Sequence, residues 1–378
     1  MDSFENLRKQ LPLLDERLYF TTHCVGPLPR AAVDDLEDWR RSLLRGSRSI
    51  YEWADRYEDM HRRVEALLGA PSGSVAFAAN ATCCQSMFAA ALTPSAERNV
   101  VLTTDLDFRS TGYLWKAQAR RGFEVREIVS DDGFSFPEER LLDAIDERVA
   151  VVSVPLVSYC SGAMLDVDEV VERAHAVGAL VIFDAYQAVG AVPVDVGASK
   201  VDALVGGSHK WLHGGGAGLS FLYVRPDLAS KLEPAYPGWM GHSDAAAYDR
   251  GFVPAAGARR FEQGLPAIEP LYTARAGLEI VSKMDPVRIR ARSITLTQRL
   301  VDGAEALGIE VRTPREASRR GGMVCFGAAD PKGAMQALAD RGVDVDTRPG
   351  SGIRVSPHPC MTEDECDRLL QELASVLG

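Results

Sequence analysis

Lys210 stands in the run Gly206-Gly207-Ser208-His209-Lys210, between an apolar stretch and a glycine cluster at 214–218. A lysine held there can sit at the floor of a cleft, where partial desolvation lowers its pKa and frees the amine to condense with a carbonyl compound. Alone it would be a surface lysine in a glycine loop. Three other groups change that. Asp184 closes the apolar run Leu180-Val-Ile-Phe, and a carboxylate in that position needs a cationic or protonated partner. Asn80-Ala81-Thr82 joins an apolar run to a helix-forming one, so its backbone N–H groups and the helix dipole can take an anion such as phosphate. Arg354 lies in Gly352-Ile-Arg-Val-Ser and can hold a carboxylate through two parallel hydrogen bonds. Taken singly, Asn80 is a helix cap and Arg354 a structural ion-pair residue.

Together the four fit pyridoxal 5'-phosphate. That cofactor needs an aldehyde-binding lysine, an acid beside its pyridine nitrogen, a phosphate cradle, an aromatic lid and an arginine for an amino-acid carboxylate. Other chemistries fit less well. His209 and His213 have metal-like spacing, but no glutamate follows the first histidine, and the lysine beside it is a poor neighbour for a cation. The glycines at 214–218 precede a strand-like run instead of opening a helix, so they are no dinucleotide fingerprint.

The 378 residues suit two domains, or one large and one small. Hydrophobic residues at 46% and charged residues at 25% give the balance of a globular protein in water. A net charge of −11, with arginine pairs scattered among acids, argues against nucleic acid or an anionic membrane as the partner. The seven cysteines are an odd count without CxxC spacing, which favours reduced thiols over disulfides or zinc. The first residues lack the apolar core of a signal peptide, and no run reaches membrane-spanning length. The expected location is the cytoplasm.

Several elements must position these groups. A brief strand at 18–22 leads into prolines 27 and 29, which start a helix reaching about Gly46; the next helix buries Trp53, Tyr57, Met60, Val64 and Leu67 on one face and ends at Gly69. From Val75 onward, strands at 75–79, 99–104, 123–129, 149–157, 179–183, 203–205 and 219–224 alternate with helices at 81–92, 110–121, 137–146 and 166–177. That alternation predicts an open, mostly parallel sheet covered by helices on both faces, with its site beyond the carboxyl ends of the strands. The alternation stops near Gly264-Leu265-Pro266. Two long helices, at 267–283 and 286–307, are followed by strands at 309–312, 323–326, 343–346 and 353–356, and Thr362 with Glu365 forms a capping box for a last helix. These make a smaller α+β domain. The expected division is an arm at 1–30 packing beside the small domain, a large domain at 31–265 and a small one at 266–378.

Phe183-Asp-Ala-Tyr-Gln-Ala-Val-Gly followed by Val205-Gly-Gly-Ser-His-Lys-Trp-Leu resembles the fold-type I, class V aminotransferase superfamily over nearly the whole chain. Within it, Pro237-Gly-Trp-Met-Gly-His242, Arg260-Phe-Glu-Gln-Gly264, Val345-Asp-Thr-Arg348 with Ile353-Arg354, and the stretch from Leu18 to Pro29 resemble segments of the kynureninase branch. The resemblance implies the fold of that superfamily: a large domain with a seven-stranded, mostly parallel sheet and a smaller C-terminal domain. It implies that Lys210 binds pyridoxal 5'-phosphate and moves a Cα proton, and that Asp184 meets the pyridine nitrogen. Gln187 would contact the ring hydroxyl or phosphate, Ala81, Thr82 and His209 would hold the phosphate, and Phe108 would stack on the ring. Arg354 would bind the substrate carboxylate, with Trp239, His242 and His23 reaching the substrate, in a homodimer with shared active sites. The implied reaction on an amino acid is cleavage at the β-position, by hydrolysis or C–S elimination. Transamination, epimerisation and a cofactor-binding regulator are the alternatives. The chain departs from the kynureninase pattern at His209, where a tyrosine is usual, at Leu265, where many relatives have threonine, and at His23-Cys24, where Asn-Ser is usual; residues 42–51 hold no histidine. The segment 346–354 holds no cysteine, so the nucleophile of a desulfurase is missing there.

Overall fold

The structure, a computed structural model, describes residues 3–248 and 250–377. Seven strands form the large sheet: β1 (Val75–Ala78), β2 (Val100–Thr104), β3 (Glu124–Ile128), β4 (Val149–Pro155), β5 (Leu180–Asp184), β6 (Ala203–Gly207) and β7 (Ser220–Val224). Their spatial order is β1-β7-β6-β5-β4-β2-β3. Only β7 runs antiparallel to its neighbours; the other pairings are parallel. Alternate side chains enter two separate cores. Phe183, Leu204 and Phe221 lie in one, and Ile182, Val205 and Leu222 in the other. Burial on both faces is why β4 and β6 read as near-continuous apolar runs. The edge strand β3 carries Glu124, Arg126 and Glu127 instead, charges that blunt an open edge.

A third core joins Leu18 and Phe20 of the N-terminal arm to Leu296, Leu300, Val324, Ile353, Val355 and Leu369. Its antiparallel sheet pairs Asp346–Arg348 with Gly352–Val355 and the latter with Val324–Phe326. Leu18–Tyr19 pairs in parallel with Val343–Asp344, and Arg17 bonds Asp344 at 2.7 Å. Thr362 and Glu365 exchange the two bonds of a capping box, at 3.2 and 2.7 Å. Two expected strands differ. Segment 309–312 pairs with Val324–Phe326 only at Val311, shortly before Pro314 removes a donor. Segment 343–346 is split, because its first half pairs with the arm and its second half with Gly352–Val355. Hydrophobic packing also runs past the boundary expected near residue 265. Helix Glu269–Ser282 places Leu271, Ala274 and Leu278 in the large core, and helix Pro286–Ala306 passes from there at Ile289 to the small core at Leu296. Among the described residues no helix is long and apolar enough to cross a membrane.

A buried pair of rings docks the small unit onto the large. His213 Nδ1 donates to the Pro27 carbonyl at 3.0 Å, which leaves its Nε2 to accept from His358 Nε2 at 2.8 Å. His358 Nδ1 then accepts from the Cys360 N–H at 3.3 Å; these tautomers follow from the partners. Burial lowers the His213 pKa from 6.5 to about 4, and His358 falls well below its ordinary value through burial and the neighbouring ring. Because the folded values are depressed, the unfolded chain takes up these protons first. Stability is therefore present above about 6.5 and lost as pH falls toward about 4, with His213 alone contributing on the order of 3 kcal/mol across that window. The melting temperature should drop on acidification from neutral pH, and His213→Asn, which tolerates the left-handed backbone at this position (φ 52°), should flatten that drop.

Candidate active site

Lys210 leaves the carboxyl end of β6 in a loop closed by its own backbone. Ser208 N–H bonds Leu219 O at 3.1 Å, Gly214 N–H bonds Ser208 O at 2.8 Å, and His213 N–H bonds Lys210 O at 3.1 Å. The N-terminal arm supports this loop from behind through Gly26 N–H to His209 O at 2.7 Å. Only glycine fits there, since a Cβ at position 26 would lie 2.0 Å from the Lys210 carbonyl oxygen. The ammonium stands 4.8 Å from the centre of the Tyr186 ring. Burial pulls the Lys210 pKa down to about 8, against the opposing pull of the Asp184 carboxylate. A fraction of the amine is then unprotonated near neutral pH, the form that attacks a carbonyl.

A cavity of ≈ 200 Å³ opens at the strand ends. It is lined by Ala81, Thr82, Phe108, Asp184, Gln187, His209 and Lys210, seven of the residues expected from sequence, together with Asp107, Tyr159 and Tyr186. Asp184, at the end of β5, accepts from Tyr186 N–H at 2.9 Å, and burial raises its carboxyl pKa. Asp107 was missed by sequence reasoning; it lies three residues past the end of β2 and directly precedes Phe108. It is buried, and burial and the Asp184 charge push its pKa well up. Its Oδ1 accepts from Phe108 N–H at 2.7 Å, while its Oδ2 is without a partner among the described residues. Two acids so placed need a proton or cation between them.

Asn80 caps helix Ala81–Ala91 by accepting from Cys83 N–H at 2.9 Å. The N–H groups of Ala81 and Thr82 belong to the first helical turn, which has no intrahelical acceptor for them. His209 faces the same cavity with Nδ1 3.3 Å from the Tyr186 hydroxyl, and burial lowers its pKa to about 4. Phe108 is 48% exposed at the mouth and meets Tyr159 edge-on, 5.2 Å between centres. Gln187 lines the cavity, but its amide is already tied: Nε2 donates to His23 O and Oε1 accepts from Trp211 Nε1, both at 3.0 Å. One Nε2 hydrogen is left for a ligand.

The remaining expected residues do not line this cavity. Trp239 and His242 lie outside its lining. Trp239 is 43% exposed and stacks on Tyr248, and His242 is bound to the carbonyls of Asp244 and Gly251 at 2.8 and 3.2 Å. Their segment holds the short 3₁₀ turn Trp239–Gly241. His23 and Arg354 are buried behind the cavity around Asp346. His23 Nδ1 bonds Ser356 Oγ at 2.7 Å, and its Nε2 lies 3.4 Å from Asp346; burial lowers its pKa to about 3. Arg354 is ion-paired with Asp346 and donates to Tyr159 O. The ligand atoms of His23, Cys24 and Asp346 fall within 4.8 Å of one another, but Arg348 and Arg354 share the same carboxylate, which makes the group an ion-pair network.

This donor set fits pyridoxal 5'-phosphate. The lysine amine suits its aldehyde, the paired acids suit a pyridinium, and the unbonded N–H groups of Ala81 and Thr82 suit its phosphate. Residues 21–369 match the family model described as aminotransferase class-V. The kynureninase of Pseudomonas fluorescens is 31% identical, the match covering 96% of this chain and 89% of that protein. Among solved structures, the apo cysteine desulfurase of Thermococcus onnurineus NA1 superposes with a TM-score of 0.87 at 22% identity, over 99% of this chain and 98% of that one. The cystine C–S lyase C-DES, in a form with glycine covalently linked to its PLP cofactor, gives 0.88 at 20% identity, over 98% and 99%.

Proposed function

The chain belongs to the class-V aminotransferase family and is a pyridoxal-phosphate-dependent enzyme, and from that premise we propose that it cleaves a bond at the β-position of an L-amino acid or amino-acid conjugate. The observation that carries this reading is that Lys210 shares one cavity with Asp184 and the buried Asp107. Lys210 would hold the cofactor through its aldehyde, and its amine, once freed, would carry the Cα proton. The bound cofactor supplies an electron sink for the pair left at Cα. Asp184 would hold a proton on the pyridine nitrogen, which would keep that sink strong, with Asp107 lining the same cavity. Ala81, Thr82 and His209 would hold the phosphate, Phe108 would cover the ring face, and Arg354 would orient the substrate through its carboxylate. Trp239, exposed on each chain, and the half-buried His242 reach the substrate from a second copy in a homodimer.

The kynureninase relative supports a hydrolytic outcome at an acyl carbon. The test incubates the PLP-loaded enzyme with kynurenine, with S-alkyl cysteines, and with each plus a 2-oxo acid. Anthranilate assigns hydrolysis, and thiol with pyruvate assigns C–S elimination. A cofactor left as its amine when the oxo acid is omitted, with turnover only when it is supplied, assigns transamination and overturns β-cleavage.

A further inference from the structure

We propose that Asp346 is a built-in competitor for Arg354, occupying it until a substrate carboxylate takes its place, and that Arg348 receives the displaced Asp346. This rests on the reading of Arg354 as the carboxylate-binding residue. The pairing is written into the backbone: Asp346 and Arg354 are directly opposed in the antiparallel hairpin of Asp346–Arg348 and Gly352–Val355, and opposed side chains on one face are within reach of each other. Arg354 is 2% exposed, so its charge is compensated inside the protein or not at all. Asp346 provides that compensation at Oδ2, where the Cys24 thiol also donates at 2.7 Å.

Two details show that the arrangement is not closed. Arg354 Nε is buried with no partner among the described residues, although a guanidinium seated on its final carboxylate uses its fork fully. Arg348 already holds Asp346 Oδ1 at 2.6 Å. Charge counting agrees. Two guanidiniums face one carboxylate, with His23 neutral and Cys24 a thiol because burial lowers the first pKa to about 3 and raises the second to about 11. The cluster is one negative charge short, which is the charge of a monocarboxylate. When the substrate docks, Arg354 exchanges Asp346 for it, and Asp346 stays within the network on Arg348. The site thus discriminates against amines without a carboxylate, which cannot open the pair.

The test uses the PLP-loaded protein with acetate as the probe and chloride at equal ionic strength as the control. In Asp346→Asn, acetate should raise the melting temperature, because it fills the vacated place on Arg354; the unaltered protein should need about tenfold more acetate for the same rise. The KM for whichever amino acid turns over should fall roughly tenfold if the resting pair leaves about one molecule in ten competent. Arg348→Gln, exposed and tolerant of change, removes the receiver and should raise that KM with kcat little changed. Equal acetate responses in Asp346→Asn and the unaltered protein would overturn the competitor role, and so would an unchanged KM in Arg348→Gln should Asp346→Asn not fold. Arg354→Lys separates the two levels: if its KM matches the unaltered enzyme, the assignment of Arg354 to the carboxylate is wrong whatever acetate does.

Discussion

Lys210→Ala should abolish covalent attachment of pyridoxal 5'-phosphate and lower turnover by at least about 10³-fold. Borohydride reduction followed by peptide mapping should put the cofactor on the Lys210 peptide of the unaltered protein and on no peptide of the variant. The size of the effect follows from two tasks falling on one amine. Burial sets its pKa near 8, which supplies the nucleophile for the aldehyde and afterwards a base for the Cα proton. Lys210→Arg keeps the positive charge beside Asp184 but neither task, so it should fail as Lys210→Ala does. Retained labelling in Lys210→Ala would remove the foundation of the whole site.

Asp184→Ala should separate attachment from chemistry. The cofactor should still be trapped on Lys210, because the aldehyde and phosphate contacts remain, yet kcat/KM should fall by about 10²–10⁴-fold as the ring nitrogen loses its partner. Asp107 is the poorer partner for a ring nitrogen, since its Oδ1 is held by the Phe108 N–H and burial, with the Asp184 charge second, raises its pKa and disfavours the carboxylate. Asp107→Asn should accordingly cost far less than Asp184→Ala when the two are compared in parallel. A variant pair with the reverse order would mean that Asp107, and not Asp184, meets the pyridinium.

Lys210, Asp184 and the Asn80–Thr82 turn were legible in the sequence because each follows an apolar strand, and strand ends are where such sheets place their chemistry. Asp107 was not, because it stands in the turn beyond β2, after Asp105 and Leu106, where no strand end marks it. Arg354 was legible as a residue but not as a pair. Its partner is set by hairpin register, and register depends on where a turn falls, which neither periodicity nor composition records. Trp239 and His242 were assigned by motif alone, in a stretch with no regular period to say which way it faces. Gln187 shows a further limit: a polar residue at a cavity wall can be committed to holding the wall, here between His23 O and Trp211.

The seam between Leu18–Tyr19 and Val343–Asp344 has a consequence for how the protein is made. Its two sides are 325 positions apart, which at ribosomal speeds separates their synthesis by roughly 15–65 s. During that interval the large sheet can assemble, but Leu18 and Phe20 have no core to enter, and nothing anchors the arm whose Gly26 and Pro27 back the lysine loop. A nascent chain that ends before residue 344 therefore carries Lys210 without the support behind it. Cofactor capture should come late, after release, as the event that joins the earliest and latest parts of the chain.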